Sequence, residues 1–160
     1  MSGPPLRAII GFGANLGERL ATMRAAARAL SRVSRIEKTS HVYATAPVGG
    51  PPQPEYLNAA AFVEYEGTPG DLLDALLAIE ADLGRVRREK DGPRTIDLDV
   101  LWIEGIALDS ARLMVPHPRL HERAFALVPL LELVPDARDP RTGERYTVPP
   151  GDIRPTEEVL

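Results

Sequence analysis

The sequence predicts an α+β fold of the ferredoxin-like, split βαβ kind: an antiparallel sheet with helices packed on it, here expected on one face. Two helical stretches, four short apolar or alternating runs and their order β-α-β-β-α-β support that expectation. Ala8-Ile9-Ile10-Gly11-Phe12-Gly13 has the continuous apolar character of a buried strand. Gly17-Glu18 then opens a helix through about Leu30, with Leu16, Leu20, Met23, Ala27 and Leu30 at helical spacing. Ile36 to Thr45 is rich in β-branched residues and is expected to be one strand. Prolines and glycines make Ala46 to Glu55 a loop, and Tyr56 to Tyr65 alternates as a third strand.

Thr68, Pro69 and Asp71 form the clearest start signal: a cap, a first-turn proline and an acid at the positive end of a helix. That helix runs through Leu72, Leu76, Ile79 and Glu80, and Gly84 can stop it. A charged loop from Arg85 to Asp91 leads to a fourth strand, Asp97 to Ile103. Arg119 to Leu133 holds a further helical stretch expected to break at Pro129. The tail from Pro135 is rich in proline and charge, and is expected to be extended or loosely packed. The whole is expected to be a single domain over 1–160, with a core at about 7–135 and a tail at 136–160.

The 160 residues can bury a sizeable core, and 44% hydrophobic with 26% charged residues is ordinary for a globular chain. A net charge of −4 gives no footprint for nucleic acid or an anionic membrane. The absence of cysteine excludes disulfides and thiolate metal sites. Met1-Ser2-Gly3-Pro4-Pro5 lacks the apolar core of a signal peptide, and no stretch reaches the roughly 18 apolar residues of a membrane span. A cytoplasmic, monomeric protein is the expectation.

The chemistry concentrates in Asp91-Gly92-Pro93-Arg94-Thr95-Ile96-Asp97-Leu98-Asp99-Val100-Leu101-Trp102. Residues two apart on a strand share a face, so Asp97 and Asp99 project together while Leu98 and Val100 enter the core. Two carboxylates about 7 Å apart repel unless something positive lies between them. Hard oxygen ligands suit Mg²⁺, and one such pair can hold two ions for in-line phosphoryl displacement. Arg94 follows a Gly-Pro turn and can grip phosphate, with Arg85, Arg87 and Arg88 in the preceding loop. An isolated Asp-x-Asp would be a solvated strand face; these basic and turn-forming neighbours argue for a site.

Gly92-Pro93-Arg94-Thr95-Ile96-Asp97-Leu98-Asp99-Val100-Leu101 resembles the signature of the 6-hydroxymethyl-7,8-dihydropterin pyrophosphokinase family of folate biosynthesis. Gly11 to Gly17 resembles that family's first strand and turn. Tyr43 to Gly49 and Pro54 to Ala60 resemble its pterin-binding segments, Glu80 with Gly84 to Arg87 its second helix end and loop, and Val115 to Pro118 with Arg123 to Phe125 its later segments. The resemblance covers roughly Ile9 to Pro135, with the motifs in order.

It implies transfer of diphosphate from ATP to the hydroxymethyl group of the dihydropterin, with AMP released. Two Mg²⁺ ions would bind Asp97 and Asp99, and Arg85 and Arg87 would come in on the loop as catalytic groups. Glu80, Arg94, Val100, Arg112, His117 and Arg123 would contact ATP. Tyr56 and Phe125 would sandwich the pterin, and Asn58 would read its edge with Thr45, Pro47 and Val48. On residue type alone, Tyr56 and Phe125 could equally be core aromatics, Asn58 an edge or turn residue, and His117 a loop histidine. The chain departs from the family pattern at Ala46, Asp91, Met114 and Pro118, which implies altered ATP affinity with function kept.

Rival functions have weaker support. Gly11, Gly13 and Gly17 hint at a dinucleotide turn, but that needs a parallel βαβ unit. No P-loop motif is present. An RNA-binding sheet would want more than 5% aromatic residues and a basic surface. A non-catalytic small-ligand-binding module remains the alternative, along with another Mg²⁺-dependent phosphoryl or nucleotidyl transferase.

Overall fold

In a computed structural model of the chain, residues 3–15, 18–45, 55–83 and 96–160 are described. The elements run β1 (Leu6–Ala14), α1 (Arg19–Val33), β2 (Arg35–Thr39), β3 (His41–Thr45), β4 (Tyr56–Tyr65), α2 (Pro69–Asp82), β5 (Asp97–Ile103), β6 (Leu108–Asp109), β7 (Met114–Val115), α3 (Ala124–Leu133) and β8 (Ile153–Val159). A single 3-10 turn, Leu120–Glu122, precedes α3. Six strands form one antiparallel sheet in the order β5-β1-β4-β3-β8, with β2 also paired to β4. The expected α+β class and antiparallel sheet are both present. Among the described residues no helix is long and apolar enough to cross a membrane.

The helices lie on both faces of the sheet, not one. Met23, Ala26 and Leu30 of α1 and Leu72, Leu76 and Ile79 of α2 share a core with Ile10, Phe12, Leu98 and Val100. Leu127, Leu130 and Leu133 of α3 build a second core on the opposite face, against Ile9, Ala60, Phe62, Leu101 and Trp102. The last helix therefore covers part of the face that the first two leave open. It also runs through Pro129, where the sequence suggests a break. Proline removes one helical hydrogen bond, but burial of Leu127, Leu130 and Leu133 around it holds the segment together.

The expected second strand, Ile36 to Thr45, is two strands joined at Ser40. The Ser40 hydroxyl accepts the Ala60 N–H at 2.8 Å and donates to the His41 carbonyl at 2.7 Å. A side chain thus takes the place of a ladder acceptor, and the register with β4 shifts there. The start of α2 carries the full reciprocal cap: Asp71 N–H donates to Thr68 Oγ1 at 3.1 Å and Thr68 N–H donates to Asp71 Oδ2 at 3.2 Å.

The tail takes the extended form, one of the two expected, at its end. Its end forms β8, pairing Ile153 with Thr45, Pro155 with Tyr43 and Val159 with His41. Thr156 Oγ1 donates to the Val42 carbonyl at 2.7 Å, and Arg24 of α1 donates to Glu158 at 2.9 Å. Proline and charge, read in the sequence as signs of an extended or loosely packed tail, are also what an edge strand uses to avoid further pairing.

Glu132 fastens α3 to β3. Its carboxylate accepts the Tyr43 hydroxyl at 2.6 Å, the His41 backbone N–H at 3.1 Å and the His41 ring at 3.0 Å. Partial burial works to raise the Glu132 pKa, but these donors hold it below the usual carboxylate range. Burial, with this carboxylate's help, pushes the Tyr43 phenol upward. A depressed folded-state pKa gives stability that is present above the unfolded value and lost as pH falls through the folded one. Glu132→Ala should cost about 1–3 kcal/mol at neutral pH. The gap from wild type should narrow only as pH falls below the ordinary glutamate value of about 4.3, as read by urea unfolding at neutral pH and in acid.

Candidate active site

Burial fixes the direction of the two carboxylates. Leu98 and Val100 are in the core under α1 and α2, so strand alternation turns Asp97 and Asp99 to the opposite face. β5 is an edge strand, and its outer side is held by Glu80. That carboxylate, 4% exposed in α2, accepts the Leu98 N–H at 2.9 Å. Glu80 therefore holds the strand from the helix side. Val100 likewise turns its side chain into the core and does not line the cavity described below.

A bulge follows at once. Ile10 pairs with Val100 but Ile9 pairs with Trp102, leaving Leu101 extra. Both Leu101 and Trp102 then face α3. The Leu101 carbonyl accepts the His117 N–H at 2.9 Å, which brings this histidine into the field of Asp99. Burial lowers the His117 pKa, Asp99 opposes that, and Arg123 and Arg119 add to the lowering. Its Nδ1 accepts the Arg119 N–H at 3.2 Å, leaving the ring proton on Nε2.

The register across the sheet sets out the rest. Asp97 pairs with Gly13, Gly13 with Asn58, and Asn58 with Tyr43, so the four form one row on one face. Asp99, Gly11 and Ala60 form the next row. Asp97 and Asn58 are thus two strands apart, about 10 Å, with only a glycine between them. A Cβ on Gly13 would sit 3.3 Å from Asn58 Oδ1, and one on Gly11 would sit 2.8 Å from Leu101 Cδ1. Gly13 is a floor kept bare beside Asn58 and Gly11 is the seat of the Leu101 side chain; neither is a turn, and their place inside an antiparallel strand removes the dinucleotide-binding reading.

A cavity of about 660 Å³ stands over this floor. Asp97 and Asp99 line it, together with Thr45, Asn58, Tyr56, Arg123 and Phe125. Tyr56 is 39% exposed and Phe125 40%, so neither is a core aromatic. Asn58 lies within β4, the most heavily paired strand, only 8% exposed, and its Nδ2 donates to Thr45 Oγ1 at 3.4 Å. The Arg123 guanidinium stands 5.6 Å over the Phe125 ring. Arg112 is not among the described lining residues; its guanidinium is ion-paired with Asp74 of α2. Arg85, Arg87, Arg94, Pro47 and Val48 lie outside the described residues, as do Ala46 and Asp91.

The cavity also has lining residues that sequence reasoning missed: Asn15, Arg119, Glu122 and the tail segment Pro150 to Ile153. Arg119 and Glu122 pair with each other at 3.1 Å. Glycine spacing in β1 marked the first strand, but not its role as a floor. Among the described residues no three carboxylate or histidine side chains gather into a metal cage. The Asp97–Asp99 pair suits an ion that takes one or two carboxylates and completes its shell with phosphate and water.

The sequence matches the family described as 7,8-dihydro-6-hydroxymethylpterin-pyrophosphokinase over residues 9–135. A Synechocystis protein named 2-amino-4-hydroxy-6-hydroxymethyldihydropteridine pyrophosphokinase is 42% identical over 139 residues, 86% of this chain and 71% of that protein. One of the same name from Methylorubrum extorquens is 45% identical over 132 residues, 81% of this chain and 84% of its own length. The fold is similar to wild-type Plasmodium falciparum HPPK-DHPS solved with pterin and p-hydroxybenzoate, with a TM-score of 0.68 at 14% identity. That alignment covers 91% of this chain and 42% of the other. On the extent of the sequence match and the identity to these relatives, the chain belongs to the 7,8-dihydro-6-hydroxymethylpterin-pyrophosphokinase family.

Proposed function

We propose that this protein transfers the terminal diphosphate of ATP to the hydroxymethyl group of 6-hydroxymethyl-7,8-dihydropterin, releasing AMP, as a step of folate biosynthesis. The observation that carries the reading is the row Asp97–Gly13–Asn58. It sets a carboxylate pair and a nearly buried amide at opposite ends of a bare floor beside two exposed aromatic rings. The pterin ring would stack with Tyr56 and Phe125, while Asn58 and Thr45 meet its donor and acceptor edge. Its hydroxymethyl group would then point along the floor toward Asp97 and Asp99.

The hydroxymethyl oxygen attacks the β-phosphorus. The bond from that phosphorus to the oxygen bridging the α-phosphate breaks, AMP leaves with that oxygen, and the hydroxyl proton passes to solvent. Asp97 and Asp99 would hold two Mg²⁺ ions, which supply neutralisation of the phosphate charge and alignment of the two reacting groups. Arg123 from the cavity lining and His117 from the field of Asp99 would meet the polyphosphate, and Arg85, Arg87 and Arg94 would add guanidinium groups to it. Glu80 would act through the Leu98 backbone, keeping the carboxylate strand in place. The chain's own work is positioning and charge stabilisation. The working unit is proposed to be a monomer of one domain in the cytoplasm.

Product analysis with ATP, Mg²⁺ and the dihydropterin tests the reading. AMP formed in step with a diphosphorylated pterin is expected. ADP would mean ordinary phosphoryl transfer, and ligand binding without nucleotide cleavage would leave a binding module.

Asp97→Ala and Asp99→Ala should each lower kcat on the order of 100-fold or more while far-UV circular dichroism stays that of the wild type. A variant keeping most of its turnover would remove that carboxylate from the metal site. Tyr56→Ala should raise the KM for the pterin about tenfold, as loss of an aromatic face requires, with the KM for ATP changed less than about twofold. Equal losses for both substrates would remove the stacking role.

A further inference from the structure

We infer that the C-terminal segment Pro150–Ile153, beyond the family-matched residues 9–135, is a wall of the pterin half of the site and that Gly151 sets where Phe125 stands. The inference rests on the proposed reading of that cavity. The four residues of the segment all line it. Register explains why: β8 pairs Ile153 with Thr45, and Thr45 pairs with Tyr56, so the tail enters the sheet on the row of the first aromatic.

The segment meets the supports of both rings. On one side, the Arg154 guanidinium pairs with the carboxylate of Glu55, the neighbour of Tyr56, and the Asp152 carboxylate lies 3.7 Å from Arg154 Nε. Arg19 of α1 donates to the Glu55 carbonyl, so that residue is held from two directions. On the other side, Gly151 faces Ala124, the first residue of α3 and the neighbour of Phe125. A Cβ on Gly151 would come within 3.0 Å of Ala124 Cβ. Gly151 is not among the positive-φ glycines, so the position is restricted by space and not by backbone conformation. The tail is thus a spacer between the two aromatic supports, and its thickness at Gly151 helps fix the gap offered to a flat heterocycle.

Added bulk at 151 must move either the tail or the start of α3, and both border the ring-binding end of the cavity. The carboxylates on β5 lie at the far edge of the sheet. The effect should therefore fall on the pterin and spare the nucleotide. Calorimetric titration of 6-hydroxymethyl-7,8-dihydropterin into protein saturated with Mg²⁺ and a non-hydrolysable ATP analogue gives the first affinity. Titration of the analogue with Mg²⁺ gives the second.

Gly151→Ala should weaken pterin binding about fivefold and change analogue binding less than about twofold. Ala124→Gly in the same chain should restore most of the loss, the coupling expected of a direct contact. Arg154→Ala, a surface change that leaves the sterics alone, should show the same selectivity and decides the matter if Gly151→Ala does not fold. Unchanged pterin affinity, equal loss for both ligands, or no recovery with Ala124→Gly would overturn the inference. Wild-type pterin binding with an unaffected variant would leave the reading of the cavity standing. Absence of pterin binding by the wild type would take both down.

Discussion

Burial of Leu98 and Val100 beneath α1 and α2 is the constraint on which the site depends. Strand alternation converts that burial into the shared direction of Asp97 and Asp99. The two apolar side chains hold the carboxylates on one face against their mutual repulsion. β1 fixes the strand on its inner side, and Glu80 takes the Leu98 N–H on its outer side. The proposed Mg²⁺ site would need such rigid support, because Mg²⁺ demands near-ideal ligand geometry. The bulge at Leu101 completes the frame by presenting a carbonyl to His117 just where the strand turns both neighbouring side chains toward α3.

The sheet divides two kinds of work. One face is closed by α1 and α2 over a continuous apolar core. The other is covered only in part, by α3, and the uncovered part is the cavity. Glu132 anchors α3 through Tyr43 and His41, and the helix's first turn then presents Arg123 and Phe125 at the cavity edge. Bare Gly13, where other strands carry side chains, gives the cavity its depth.

Legibility from sequence followed the range of the interactions. The direction of Asp97 and Asp99 needs only local alternation, and the cap of α2 only four neighbouring residues, so both could be read directly. Tyr56 and Asn58 could be placed on a strand, but residue type did not distinguish a core aromatic from one lining a cavity. The bare floor at Gly13 and the seat of Leu101 at Gly11 arise from register with β4 and β5, which contact β1 from far along the chain. Glu80 could be read as a group beside a nucleotide, but nothing local shows that its carboxylate also reaches a strand 18 residues later. The tail was legible only as extended or loosely packed, because an edge strand built with Pro155 and charged neighbours has the composition of either.

The two-faced sheet has an evolutionary consequence. Met23 and Leu30 of α1 and Leu72 and Leu76 of α2 are fully buried and none lines the cavity, whereas Tyr56 and Phe125, which line it, are exposed. A replacement at an exposed lining position leaves those packing contacts alone, whereas one in the buried set disturbs the sheet that holds the site. Lineages can drift in substrate affinity, or in sensitivity to a competing ligand, while their melting temperature stays nearly constant. The fold is in this sense buffered at its exposed lining residues, while both faces of the sheet keep a buried core.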